Sequence, residues 1–512
     1  MRFNLDNLPS DVALLHRLLR DMADVVERRD GEIERLRTII RQLQRAQFGR
    51  RSERLDADQL ALGLEDLEAD IGRVAERDPE TPPPADDAPR AGPRRKPLPA
   101  HLPRVERMLD APSAQCPCCG GGLHAIGESV SEQLDWVPAQ LRVLRIVRPK
   151  FACRTCTKVV QAPAPERPIA GGLATPALLA HVLVSKYADH TPLYRQAQIL
   201  ARHGMDLERS TLAGWVGGAC WWLEALHARL HRDVLASDHL FADDTPVPVL
   251  DPGRGRTKTG RLWVYARDQR GWSGPAPPAA LYVFAPDRKA ERPIAHLERF
   301  KGVLHVDGYA GFERLAGRGE VTLAACWAHT RRKFYEVAEA ANTPVAHKAL
   351  RRIAGLYAVE TEVRGRSPPQ RLAARRSLSR PIIDAMKLWL EAELPLLPGR
   401  GKLAEAIRYA LARWPALCRF LDDGRIELDT NPVERAIRPV ALGRKNHLFA
   451  GSDGGGERWA IVCSLIETCK LNGVEPYAYL RDVLTRMVEG HPANRLDELL
   501  PWAWKSEHHV KA

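Results

Sequence analysis

Three acidic side chains stand where a phosphodiester-cleaving centre would need them. Asp243 lies in FADDTPVPVL, Asp307 in GVLHVDGYAGF and Glu434 in DTNPVERAIRP. The first two each close a short run of strand-like character, and the third falls in the opening turn of a segment that starts like a helix. Carboxylates are hard oxygen donors, the type that Mg2+ takes. A pair of such ions can activate a nucleophile and steady a leaving oxygen at one phosphate. Asp243 and its neighbour Asp244 point to opposite faces of their strand. Asp243 is taken as the ligand, with Asp244 either supporting it from behind or standing aside. Each acid also has a plainer reading: Asp307 as a turn former before Gly308, Asp243 as a loop acid, Glu434 as a helix-start residue favoured by the dipole.

The elements that must position these acids follow from periodicity. From residue 238 the hydrophobic period is two, and HLFADDTPVPVL, GRLWVYARD and ALYVFAP read as three strands in an antiparallel meander. RKAERPIAHLERF then reads as helix, GVLHVD as strand, GFERLAG as short helix and EVTLAACWAH as strand. Three strands, helix, strand, helix, strand is the ribonuclease H-like order, with strand one central and strand four parallel beside it. In that arrangement Asp243 and Asp307 converge. Ahead of Glu434, Asp429, Thr430 and Asn431 offer an N-cap and Pro432 suits a first helical turn, whereas Pro439 predicts a kink or break. Residues 333–420 read as an all-α insertion between the two parts of this catalytic module, 237–332 and 421–472, with a helical tail over 473–512. CWAHTRRKF sets His329, Arg331, Arg332 and Lys333 beside the cleft, where they could meet phosphate. Arg435, Arg438, Arg444 and Lys445 extend that basic surface past Glu434. GSDGGGER lacks the Gly-Lys-Ser/Thr ending of a nucleotide loop, although amides at that helix start could hold a DNA phosphate.

The first half of the chain holds smaller modules. Leu15, Leu19, Met22, Val26, Ile33, Leu36, Ile40 and Leu43 form a heptad seam broken by Arg29, so residues 1–75 are expected to include a leucine zipper-like coiled coil that pairs two chains. Residues 76–105 are a proline-rich linker. In 106–165, Cys116 and Cys119, then Cys153 and Cys156, repeat the Cys-x-x-Cys spacing of a zinc ribbon. Four thiolates close the shell of a structural Zn2+, and Cys118 is too near Cys116 to join them. Over 166–236, PLYRQAQILARHG, a turn at Gly204 and STLAGWV make a helix-turn-helix pattern that a plain helical hairpin also fits. Arg195 and Gln196 are its candidate DNA contacts.

Length and composition agree with several domains: 512 residues, a formal net charge of +12 and ten cysteines spread thinly. The positive charge favours a polyanionic partner. No signal peptide and no long apolar run are evident, so a reducing, cytoplasmic and nucleoid-associated setting is expected.

The ordered motifs FGRRSE, CPCCGG, FACRTC, PLYRQAQILARHG with STLAGWV, ADDTPVPV, VDGYAGF, CWAHTRRKF and TNPVERAIRPVALGRKNHLFAGS make the chain resemble an IS66-family insertion-sequence transposase almost from end to end. The resemblance implies a DDE-type recombinase on a ribonuclease H-like fold, with the acidic triad on Asp243, Asp307 and Glu434. It also implies recognition of terminal inverted repeats, and accessory proteins from the same element as partners. Asp244 stands where such sequences commonly have glutamate. Two Mg2+ ions, replaceable by Mn2+, would bracket the scissile phosphate, and the freed 3′-hydroxyl would then attack target DNA without a covalent enzyme intermediate. A catalytically silent DNA-binding regulator, or a nuclease that only hydrolyses, would share many of these features.

Overall fold

The computed structural model describes residues 165–509 apart from 171, 252–255, 318, 342 and 448, together with 141, 144 and two short strands. The expected coiled coil, the proline-rich linker and the zinc-ligating cysteines lie outside the described residues. The two short strands, β1 (Lys150–Ala152) and β2 (Val159–Gln161), pair antiparallel and flank the segment that holds Cys153 and Cys156.

Three helices precede the main sheet: α1 (Pro176–Tyr187), α2 (Leu193–Arg202) and α3 (Arg209–Leu235). The sheet follows, as β3 (His239–Asp251), β4 (Arg256–Arg267), β5 (Ala279–Ala285), helix α4 (Glu291–His296), β6 (Gly302–Val306), helix α5 (Ala310–Ala316) and β7 (Val321–Ala325). Its spatial order is β5-β4-β3-β6-β7. The first three strands are antiparallel, and β6 and β7 run parallel to β3. The central first strand and the parallel fourth are therefore as the sequence pattern predicts. Leu262 to Ala266 of β4 are buried without alternation, because helices cover both faces. Trp263 packs edge-on against Phe312 on one face. On the other, the Tyr282 hydroxyl donates to a helix carbonyl at Ala436.

After β7 the chain is helical through α6 (Trp327–Ala341), α7 (Pro344–Val363), α8 (Pro368–Ala374), α9 (Arg380–Glu393), α10 (Lys402–Ala412) and α11 (Trp414–Cys418). This block has its own core, built from residues such as Phe334, Ile353, Met386, Ile407 and Trp414. The chain then returns to the sheet through α12 (Asn431–His447), α13 (Asp453–Leu471), α14 (Pro476–Val488) and α15 (Pro501–His509).

Helix α13 solves the problem of an open edge at β5. Ser464 and Thr468, four residues apart on one helical face, accept from the amides of Tyr282 and Ala280 at 2.8 and 3.1 Å. Asn472, four further on, donates to the Pro278 carbonyl. The unpaired backbone groups of the edge strand are thus met by side chains rather than left as a template for association.

Two expectations change. The two helices of the helix-turn-helix pattern are α2 and α3, but Ser210 and Thr211, which read as the N-cap of the second helix, lie inside it: α3 begins at Arg209 behind Glu208 without a side-chain cap. Its 27 residues pack along one buried face of the core. Helix α12 also runs on through Pro439 instead of breaking there. The proline removes the amide that would meet the Arg435 carbonyl four residues back, and the Tyr282 hydroxyl ties the adjacent Ala436 carbonyl of the same turn to the sheet.

Candidate active site

The pleat decides which aspartate faces the cleft. Asp243 pairs with Val264, which pairs with Tyr282, so these side chains share one face, the face on which Tyr282 reaches α12. Asp244 pairs with Trp263 and belongs to the other face. His239, Leu240 and Phe241 lie opposite Val303, Leu304 and His305, a constant offset of 64. Carried two residues on, that offset sets Asp307 level with Asp243. Gly302 allows this register, because it has φ of 137° and a Cβ there would collide with the carbonyl of Asp238, the residue just before β3.

Neither aspartate has an ion pair among the described residues, although Arg288 acts on Asp307 and His329 on Asp243 through charge at longer range. Among the described residues, the Asp243 carboxylate takes one hydrogen bond, from the Asp244 amide at 2.7 Å. The Asp307 carboxylate takes one, from the Tyr309 amide at 2.9 Å. Burial, then the charges of Asp307 and Asp244, push the Asp243 carboxyl well above the usual carboxylate range.

Asp244 is the opposite case. Its side chain is only 1% exposed and is clamped by Arg261 at 3.0 Å and Arg288 at 2.9 Å. Arg288 also lies over the Tyr309 ring, and the Tyr309 hydroxyl donates to the Arg288 carbonyl. Since the Tyr309 amide holds Asp307, a chain of contacts links Asp244 to the second acid. Asp244 thus holds two arginines in ion pairs on the face opposite Asp243. Nothing in the sequence marked Arg261 or Arg288 as its partners.

Glu434 enters from α12, in its opening turn, and is buried. Asp429 receives the Asn431 amide at 3.1 Å and its side-chain amide at 2.8 Å, fixing the turn into the helix. Burial raises the Asp429 carboxyl to about 7. The Thr430 hydroxyl donates to Glu434 at 2.8 Å, so it positions the acid rather than capping the backbone. His329 of α6 stands 3.8 Å from Glu434, and its charge also acts on Asp243. Asp307 and His329 both act on Asp243, and His329 also meets Glu434, but among the described residues the tight cluster of donor atoms is Cys326, His329 and Glu434, which lie within 4.8 Å of one another. A two-ion site spreads its ligands wider than a single ion does. Cys326 escaped the sequence reading, although its Cys-x-x-His spacing to His329 was visible.

The expected DNA contacts divide by exposure. Arg195, Arg435 and Lys445 are exposed, while His329, Arg331, Arg332, Arg438 and Arg444 are half-buried. Arg444 donates to the Pro246 carbonyl and ties the end of α12 to β3. Gln196 must be corrected: it is 4% exposed, and its amide donates to the carbonyls of Val182 and Thr191, so it holds the α1–α2 turn and does not face DNA. A cavity of about 230 Å3 opens at the start of α12 among Arg270, Arg364, Arg435, Asp268, Glu427 and Asp429. Among the described residues no helix is long and apolar enough to cross a membrane.

Comparison with known proteins places these features in a common frame. Residues 171–458 match the model of the transposase IS66 family, and 464–502 match the IS66 C-terminal element. Residues 113–157, which hold all four candidate zinc cysteines, match the zinc-finger binding domain of transposase IS66. Residues 35–107 match a model described as transposase C of IS166 homeodomain. The uncharacterized protein y4jD of Sinorhizobium fredii is 43% identical over 526 residues, covering 99% of each chain. The uncharacterized protein y4qI of the same organism is 43% identical, over 93% of this chain and 90% of its own.

Proposed function

This chain belongs to the transposase IS66 family, and from that premise we propose that it binds the terminal inverted repeats of its element and catalyses metal-dependent DNA strand cleavage and strand transfer. The observation that carries the reading is the contrast between adjacent acids. Asp244 has two arginines, while Asp243 and the level Asp307 have none. Half-buried carboxylates held side by side without an ion pair suit a hard divalent cation, and their oxygens are its preferred donors.

Asp243, Asp307 and Glu434 would hold two Mg2+ ions, with Mn2+ able to substitute. When bound, such ions lower the pKa of an attacking water or hydroxyl and stabilise the leaving 3′-oxygen. The protein's own part is positioning. The parallel register levels the two aspartates, Thr430 holds the Glu434 carboxylate, and Asp244 keeps Arg261 and Arg288 from collapsing onto the pair. Arg195, Arg435 and Lys445 are exposed for DNA phosphates, with Arg331, Arg332, Arg438, Arg444 and His329 nearer the cleft. The sheet order supports a ribonuclease H-like catalytic domain interrupted by the helical block. Cys116, Cys119, Cys153 and Cys156 are assigned to one structural Zn2+, and the N-terminal heptads to pairing of two chains, as joining two element ends requires.

The test is strand cleavage and joining on a duplex carrying the element's own terminal repeat, with Mg2+ or Mn2+ and the accessory proteins of the element. Metal-dependent nicking at the repeat end followed by joining, both lost in Glu434→Gln, is the expected result. Specific binding without cleavage under all these conditions would instead make the chain a DNA-binding regulator.

A further inference from the structure

Cys326 follows β7 directly and His329 lies in the first turn of α6, so a strand-to-helix corner presents a thiol and an imidazole three residues apart. Glu434 approaches from α12. One donor atom from each residue lies within 4.8 Å of the other two. The Nδ1 of His329 is buried without a hydrogen-bond partner and is 3.8 Å from a Glu434 oxygen. The Thr430 hydroxyl is 2.8 Å from that same oxygen and 3.3 Å from the Cys326 sulfur, and its single proton can serve only one of them.

We propose that Cys326, His329 and Glu434 form a second metal site, selective for a thiophilic divalent cation such as Zn2+, and that an ion there withdraws Glu434 from the Mg2+ centre and inhibits cleavage. Sulfur, imidazole nitrogen and carboxylate oxygen are zinc donors, whereas Mg2+ takes oxygen alone. Tetrahedral zinc bonds of about 2.0–2.3 Å set donors roughly 3.5 Å apart, so side-chain rotations of about 1 Å close the site. Binding exchanges the Cys326 S–H proton, released to solvent, for an S–Zn bond. The nearby positive charge of the ion offsets the burial that otherwise holds the thiol protonated. Three protein ligands leave a fourth position for water. The inhibitory half of this inference rests on the transposase reading, and the binding half does not.

Two measurements separate those halves. The first uses the full chain with its cysteine-rich N-terminal module already loaded with Zn2+, titrated with Co2+. Wild type is expected to gain a thiolate-to-cobalt charge-transfer band that Cys326→Ser and Cys326→Ala lack; identical spectra in wild type and variants overturn the site. The second measures Zn2+ inhibition of Mg2+-supported cleavage, each protein normalised to its own Mg2+ rate. Excess Mg2+ should reverse inhibition of wild type, and Cys326→Ser should need at least ~10-fold more Zn2+, the lower end of the affinity lost with even an outer partner. Equal zinc sensitivity overturns the competition. Absence of cleavage in every protein counts against the transposase reading alone, and the cobalt spectra still decide the site.

Discussion

Beneath the helical block, Arg371 and Arg375 are 1% and 0% exposed, and each is met by carboxylates. Arg371 bonds Glu427 at 2.7 Å and Glu360 at 3.0 Å, and Arg375 bonds Glu360 through two nitrogens at 2.7 Å. In the sheet cleft, Asp243 and Asp307 are met by backbone amides and, among the described residues, by no ion pair. Desolvating charge is expensive in both places. Where the charge serves the fold, the chain supplies its own counter-charge, as it does a residue away at Asp244. In the cleft it forms no such ion pair, which fits the proposed role of these acids as metal ligands.

The comparison can be broken most directly in the cleft. Asp243→Asn or Asp307→Asn should lower metal-dependent strand cleavage by roughly 10³-fold or more while leaving repeat-end binding near normal, as gel-shift and nicking assays on one substrate would show. Binding lost in parallel with cleavage would remove the metal-ligand assignment. In the helical block the same kind of neutralisation should strike stability instead. Arg371→Met strands Glu427, leaves Glu360 to Arg375 alone, and should cost about 3–5 kcal/mol in denaturant unfolding. A loss below 1 kcal/mol, taken as an order of magnitude, would mean that the network is incidental.

Asp244→Asn joins the two regions, because it frees Arg261 and Arg288 beside the cleft. Cleavage should fall ~10–100-fold and the Mg2+ requirement should rise, as for loss of a group that orients metal ligands. Unchanged Mg2+ dependence would return Asp244 to a structural role. Gln196→Ala should cost about 1–3 kcal/mol by removing the side-chain donor to the Thr191 carbonyl and the extra donor to the Val182 carbonyl, with DNA affinity per folded molecule unaltered.

The smallest effect concerns pH. The Asp243 carboxyl is raised by burial and by Asp307, and the Asp429 carboxyl is raised to about 7 by burial. A raised acid binds its proton more tightly in the folded chain. Between the ordinary value of about 4 and the raised one, the unfolded state holds fewer protons, so stability falls as pH rises through that interval. In Mg2+-free thermal unfolding, Asp243→Asn should flatten this decline, and added Mg2+ should do the same for wild type. Parallel slopes for the two proteins would contradict the charge assignment.

Much of this was legible in the sequence, for reasons that are local. The strand order followed from period-two runs and their turns, and the convergence of Asp243 and Asp307 from one parallel pairing. The start of the Glu434 helix followed from cap residues. What escaped depended on contacts between distant segments. Arg288 reaches Asp244 across 44 residues, and Arg371 reaches Glu427 across 56. Periodicity is blind to such pairs. Gln196 misled because a polar residue in a helical hairpin has no sequence mark that tells a buried carbonyl partner from DNA. The break expected at Pro439 does not occur in a helix that is also tied to the sheet by Tyr282, a contact from another element.

The account rests on the proposed metal site at Asp243 and Asp307, and replacing Mg2+ by Fe2+ tests it most directly, since Fe2+ with peroxide and ascorbate cuts the polypeptide near its ligands. Cuts clustered near residues 243 and 307, suppressed by excess Mg2+ and by Asp307→Asn, are expected. Cuts that avoid both segments, or that survive Asp307→Asn unchanged, would contradict it.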